Sequence, residues 1–150
     1  MLSVITDPEI PVVTIQEMGM IKDVNISGSS VEVLLTPTYT GCPAMNLIEQ
    51  DIKMTLHAGG VDDVNVKLVY DPAWTTDWMT DIAKAKMKLY GIAPPLTSSC
   101  NSERFTDNMI ECPHCGSKHT QMISRFGSTA CKSLFTCKTC LESFEYFKCH

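Results

Sequence analysis

The chain has 150 residues, is 44% hydrophobic and carries a net charge of −5. That length supports one modest core, or a core with a small appendage, and no run approaches the ~20 apolar residues of a membrane-spanning helix. The first ten residues, MLSVITDPEI, lack a basic start and a long apolar stretch, so no export signal is read there and a soluble cytoplasmic protein is expected.

The charge is uneven. Residues 1–95 hold 6 Lys against 12 Asp and Glu, a net of −6, whereas residues 109–150 hold 5 basic and 3 acidic side chains, a net of +2. An acidic main domain is a poor match to phosphate backbones, so nucleic acid is not expected as a partner.

In chain order, MLSVIT reads as a short helix or an extended lead-in. DPEIPVV, with two prolines, reads as an ordered turn, and TIQEMG as one helical turn ending at Gly19. IKDVNISGSSVEVLLTP alternates apolar and polar residues on either side of Ser-Gly-Ser-Ser and predicts a β-hairpin. From Ala44 to Ala58, Met45, Ile48, Ile52 and Leu56 fall on one helical face, and Gly59-Gly60 supplies a stop. Val64 to Tyr70 alternates again and predicts a third strand. The crossover through the helix makes it parallel to the strand before.

After DPAW, Asp77 is expected to cap a helix from Trp78 to about Tyr90, with Trp78, Ile82, Ala85 and Leu89 as its buried stripe. IAPPL then breaks the chain, and polar TSSCNSERFTDN reads as a linker. The expectation is therefore an α+β protein. Residues 1–95 form a small mixed α/β sheet domain, 96–108 a linker, and 109–150 a metal ribbon.

The ribbon rests on cysteine spacing. Cys112 and Cys115 form one C-x2-C and Cys137 and Cys140 another, with 21 residues between. Two tight turns joined by a hairpin can aim four thiolates at one tetrahedral ion. In a chain read as cytoplasmic such pairs point to metal before disulfides, and structural zinc is favoured over a rubredoxin-like iron site. A segment this short needs such a staple. Phe135, Phe144, Tyr146 and Phe147 are expected to cover the hairpin faces. His114 and His119 could substitute as ligands, but four cysteines suffice. Cys131 and Cys149 are either small packed side chains or a second set of soft ligands. Cys100 is incidental.

Cys42 stands alone between a strand and a helix. Pro43 favours the first turn of the helix, which puts Cys42 near the N-cap. There, free amides and the helix dipole would depress its pKa and make it a nucleophile or a metal ligand. The alternative is a capping or buried thiol with no chemistry. Acyl transfer would need a histidine base, and His57 lies about 20 Å along the helix. Paired Glu-x-x-His motifs of helical-bundle diiron sites are absent, so this chain is not read as an oxygenase.

DPEIPVV, TPTYTGCPAM and VYDPAWTTDWM together resemble the signature stretches of SufT-type iron–sulfur assembly domains. FGSTACKSLF between the knuckles, with FKC after them, resembles the tail of the phenylacetate-degradation protein D family. The resemblance implies a non-enzymatic accessory protein of the phenylacetyl-CoA epoxidase, a diiron oxygenase fed by a flavin and [2Fe–2S] reductase. Its expected role is to assemble or deliver the reductase cluster. Asp7, Glu9 and Cys42 match the family's motif positions and Trp74 its Pro-x-Trp turn, although Asp7 and Glu9 could equally only fix the turn. The expected cofactors are zinc and a transient iron–sulfur cluster. One cysteine cannot hold a cluster alone, so a homodimer, or help from Cys131 and Cys149, is expected. The rival reading is a zinc-stapled docking subunit in which Cys42 is structural. No membrane partner is expected.

Overall fold

The computed structural model describes residues 1–96 and 110–148, which divide into two compact units, Met1–Ala83 and Lys84–His150. Composition places the domain boundary near residue 95; the contacts divide the chain between Ala83 and Lys84, because Ile92 and Ala93 pair with the ribbon sheet. The expected linker falls almost entirely outside the described residues, as do Cys100 and Cys149.

The first unit opens with a short 3-10 turn, Leu2–Val4, and the DPEIPVV segment folds back on itself. The Asp7 amide donates to the Val13 carbonyl at 2.9 Å, and Thr6 bridges Thr14. Thr14 and Glu17 then cap one another reciprocally. The Glu17 amide donates to Thr14 Oγ1, and the Thr14 amide to Glu17 Oε2. This turn ends at Gly19, whose φ is +71°. A Cβ there would lie 2.5 Å from the Trp78 carbonyl oxygen and 2.7 Å from Trp78 Cβ, so only glycine fits.

The hairpin forms as its alternation predicts. Strands β1 (Ile21–Ser27) and β2 (Ser30–Leu35) are antiparallel around a Gly28-Ser29 turn. Helix α1 (Met45–Ala58) buries the four residues of the expected stripe, Met45, Ile48, Ile52 and Leu56. Gly60, at φ +88°, closes it. Strand β3 (Asp63–Leu68) returns parallel to β2 with Val64, Val66 and Leu68 opposite Val31, Val33 and Leu35. The result is a three-stranded sheet, β1-β2-β3, with the loop from β2 into α1 at the carboxyl end of its central strand.

Helix α2 corrects the sequence reading. It runs Asp81–Tyr90, three residues later than expected, and Thr80 rather than Asp77 caps it by accepting from the Ala83 amide at 3.1 Å. Thr76–Trp78 instead forms a 3-10 turn, with Thr75 accepting from the Asp77 amide. Met79 is extended and breaks any continuous helix. The shifted start turns the helix, so Ala83 and Met87 are buried while Ile82 and Leu89 are exposed.

The second unit is a four-stranded sheet in the order β4-β7-β6-β5. It is built from β4 (Ile92–Ala93), β5 (Thr120–Ser124), β6 (Lys132–Cys137) and β7 (Ser143–Phe147). β5, β6 and β7 run antiparallel, and β4 joins β7 in parallel. Phe135, Phe144, Tyr146 and Phe147 are buried, as expected. Phe135 stacks on Phe144 and meets Tyr146 edge-on, at centroid distances of 5.8 and 5.9 Å. Ala93, Ile110, Cys112 and Cys137 complete that core.

Candidate functional site

Cys42 lies more than thirty positions from Asp7 and Glu9 in the chain, and the fold brings the charges of both to bear on its thiol. Asp7 is buried, and its Oδ1 accepts from the Glu9 amide at 2.7 Å and the Ile10 amide at 2.9 Å. One carboxylate oxygen thereby holds the DPE turn closed. The negative charges of both Asp7 and Glu9 act on the Cys42 thiol.

Cys42 does not cap α1. The N-cap is Ala44, two residues on, and the Cys42 carbonyl accepts from the Met45 amide at 3.4 Å. The expected depression of the thiol pKa is also reversed. Burial pushes the thiol above its ordinary value, the Glu9 and Asp7 charges push the same way, and together they outweigh the Ala44 amide and the Tyr39 side chain. Donors that favour the thiolate are present, as the helix start suggests, but non-local burial and like charge win. The resting sulfur is therefore held as a protonated thiol, by burial first and by the Glu9 and Asp7 charges in addition. Tyr39 was not singled out in the sequence, although the three-residue turn to Cys42 was a usable signal; the Cys42 amide donates to the Tyr39 carbonyl at 3.2 Å.

Trp74 is buried, and its indole Nε1 donates to the Met18 carbonyl at 3.0 Å. The Pro-x-Trp turn thus ties the end of the unit to the turn that ends at Gly19.

In the second unit the sulfurs of Cys112, Cys115, Cys137 and Cys140 all lie within 4.8 Å of one another. Among the described residues this is the one such group of potential metal ligands. The cross-knuckle separations are 3.7 Å for Cys112–Cys140 and 3.6 Å for Cys115–Cys137. Four sulfurs at ~2.3 Å from a central ion sit about 3.8 Å apart in a tetrahedron, so the donor set fits a thiolate-bound metal. The Gly116 amide donates to the Cys112 carbonyl, and the Leu141 amide to the Cys137 carbonyl, so the two knuckles share one turn. Gly116 and Leu141 follow their second cysteines at φ +74° and +65°.

The amides of Cys140 and Thr139 aim at Cys137 Sγ from 3.5 and 3.4 Å and, with neighbouring thiols donating, draw its pKa down to about 6. Burial pushes Cys112 the other way. His114 and His119 are exposed and outside the group. Cys131 is buried apart from it, with its sulfur 3.0 Å from Thr129 Oγ1. The structure therefore leaves Cys131 outside the four-cysteine group.

A small α/β unit carrying a cysteine near two carboxylates, followed by a ribbon whose four convergent sulfurs suit a metal ion, defines a two-part protein. Residues 1–68 match the iron–sulfur cluster assembly protein family, and residues 97–148 match the PaaD zinc beta ribbon domain. The chain is 47% identical over 149 residues, 99% of its own length and 89% of the relative's, to an Escherichia coli K12 protein provisionally named as the D component of 1,2-phenylacetyl-CoA epoxidase. It is 34% identical to an Fe–S protein maturation auxiliary factor of Porphyromonas gingivalis, over 58% of this chain and 84% of that one. A crystal structure of a domain of unknown function (DUF59) from Bacillus anthracis superposes with a TM-score of 0.53 at 28% identity, covering 57% of this chain and 83% of that one. The chain belongs to the family of phenylacetyl-CoA epoxidase D components, which joins an iron–sulfur-assembly domain to a zinc ribbon.

Proposed function

We propose that this protein is a non-catalytic accessory factor of a cytoplasmic phenylacetyl-CoA epoxidase. It handles an iron–sulfur cluster as cargo at Cys42 and passes it to the reductase component. The observation that carries the reading is the convergence of Asp7, Glu9 and Cys42 on one loop cluster of the unit that matches the iron–sulfur assembly family. Soft iron competes well for a thiolate, and binding it releases the proton that its surroundings hold on the resting sulfur. Burial of the sulfur, helped by the Glu9 and Asp7 charges, keeps the thiol quiet toward other electrophiles until a cluster arrives. A single thiolate leaves a cluster with open positions, which a second copy of the chain fills. The ribbon holds zinc through Cys112, Cys115, Cys137 and Cys140, and that ion is structural.

The test is anaerobic reconstitution with iron and sulfide, followed by incubation with cluster-free reductase. Visible charge-transfer absorption, stoichiometric acid-labile sulfide and recovery of reductase electron transfer are expected in the wild type, and none of these in Cys42→Ser. Cluster loading by Cys42→Ser at the wild-type level refutes the assignment. One observation favours a second reading, a zinc-stapled docking subunit: burial and like charge keep Cys42 protonated, as suits a purely structural thiol. A chain that stays colourless under reconstitution yet binds the epoxidase supports that reading.

A further inference from the structure

Strand β1 is an open edge of the three-stranded sheet, and its apolar side chains stand in solvent. Val24 is 38% exposed and Ile26 74%. Yet Val24 pairs with the buried Val33, and Ile26 with the buried Val31. Both side chains therefore lie on the core face of the sheet and continue its apolar layer past the edge.

The hairpin turn fixes which backbone groups of β1 are spare. Gly28, at φ +60°, and Ser29 form a two-residue turn, so the flanking Ser27 and Ser30 are a hydrogen-bonded pair. Such pairs alternate along an antiparallel ladder. Asn25 with Glu32 is the next one, and the amides and carbonyls of Val24 and Ile26 point out of the edge. In keeping with this, the Val24 amide donates to the carboxylate of its own neighbour, Asp23, at 2.8 Å. Outward lysines commonly guard such edges. Lys22, the lysine of β1, is instead held with its ammonium 3.9 Å from the centroid of the Trp78 ring.

We propose that β1 pairs with β1 of a second copy of this chain, antiparallel about a two-fold axis at Asn25, joining two three-stranded sheets into one of six strands. In that register Val24 and the partner's Ile26 exchange both spare hydrogen bonds, and so do Ile26 and the partner's Val24. Each core row then runs unbroken across the junction: Val66, Val33 and Val24 of one copy, then Ile26, Val31 and Val64 of the other. On the opposite face Asn25 meets its own mate and Asp23 meets the partner's Ser27, with no like charges directly opposed. Neighbouring registers lose this match. Centring on Val24 sets Ile26 against Lys22, and centring on Ile26 sets Val24 against Gly28. The self-matching sequence is what selects a second copy over a foreign strand. The unit is acidic, with 3 Lys against 12 Asp and Glu in residues 1–83, so long-range repulsion opposes the pairing and the dimer tightens as salt rises.

The Cys42 loops, at the carboxyl ends of the two β2 strands, fall at opposite ends of the joined sheet. This contact is therefore separate from the cluster-sharing one proposed above, and it stands or falls independently of the Cys42 assignment.

The experiment is sedimentation of the full chain under reducing conditions, over a range of protein and salt concentrations. The wild type is expected to show a reversible monomer–dimer equilibrium that strengthens with salt. Asn25 faces its mate across the axis at about 4.5 Å between Cα atoms, so Asn25→Asp and Asn25→Lys should each weaken dimerisation about tenfold or more. An equimolar mixture of the two variants should restore it as a heterodimer. Asn25 is exposed, so circular dichroism should show both variants folded. A wild type that stays monomeric at every concentration overturns the proposal. So does a dimer that neither variant weakens, a mixture that stays monomeric, or a dimer that loosens with salt, as pairing with a strand of opposite charge would. Cluster loading separates this from the Cys42 assignment: Asn25→Asp should still take up iron and sulfide, and Cys42→Ser should still dimerise.

Discussion

Replacing Asp7 tests both halves of the Cys42 site at once. Asp7 Oδ1 accepts two amides, but they are not equivalent. The Ile10 amide also reaches the Asp7 carbonyl at 3.2 Å, whereas the Glu9 amide donates to the carboxylate at 2.7 Å. Asp7→Ala therefore removes one charge-assisted bond outright and part of a second at a buried position, a loss of about 2–3 kcal/mol. Asp7→Asn keeps an acceptor oxygen in place and loses only the charge assistance, about 1 kcal/mol. Urea unfolding of the three chains measures both values.

The same substitutions act on Cys42. Asp7 charge raises the thiol pKa, so Asp7→Asn lowers it, and the pH profile of alkylation by iodoacetamide moves to lower pH. The linkage sign follows. A thiol held above its ordinary value of 9.0 binds its proton more tightly in the folded chain than in the unfolded one. Its contribution to stability is complete below that ordinary value and is lost as pH rises through the folded value. Asp7→Asn shrinks this window. An Asp7→Ala chain within about 0.5 kcal/mol of wild type would refute the buried-acceptor argument. An alkylation profile that stays put or moves up in Asp7→Asn would refute the electrostatic one.

Other expectations follow from the fold. Stripping metal with a strong chelator should abolish the ribbon's cooperative thermal transition while Trp74 fluorescence of the first unit is retained, since structural zinc supplies roughly 10–16 kcal/mol in small zinc-finger peptides; a ribbon transition that survives would remove the metal's structural role. Leu141→Gly relieves a left-handed residue in the second knuckle, at the position Gly116 fills in the first, and should stabilise the ribbon by about 0.5–1 kcal/mol in thermal melts. Gly19→Ala adds both a left-handed strain and a collision with Trp78, and should cost more than about 2 kcal/mol in urea. Ile52→Ala, at the centre of the buried stripe, should cost about 2–5 kcal/mol, and Met54→Ala on the solvent face less than about 0.5, by the same assay.

Local pattern carried most of the fold. α1 was legible because its stripe is uninterrupted and Gly59-Gly60 marks its end, and the hairpin because strict alternation flanks a small-residue turn. α2 was misplaced because Thr75, Asp77 and Thr80 all offer caps within six positions. Choosing Asp77 rotated every later residue, and only the extended Met79 decides between them. β4 left no signal, since two residues beside a proline pair become a strand only through a partner some fifty positions away. The C-x2-C spacing brought its four sulfurs together because the chemistry is local to two turns. The titration of Cys42 could not be read the same way. The helix start was visible, but the burial and the two carboxylates that overrule it come from a distant turn.

The pairing of Ile92 with Glu145 has a bearing on how the chain is made. Long closures are entropically slow and form late, and β7 is the strand that both β4 and β6 require. On the ribosome, the β1-β2-β3 sheet has all its strands long before Ser143 emerges. Ile92 and Ala93 must wait, unpaired, until the second knuckle has been synthesised. Ion capture and closure of the ribbon sheet then fall in the same late interval, after the cysteine-bearing loop of the first unit is already in place.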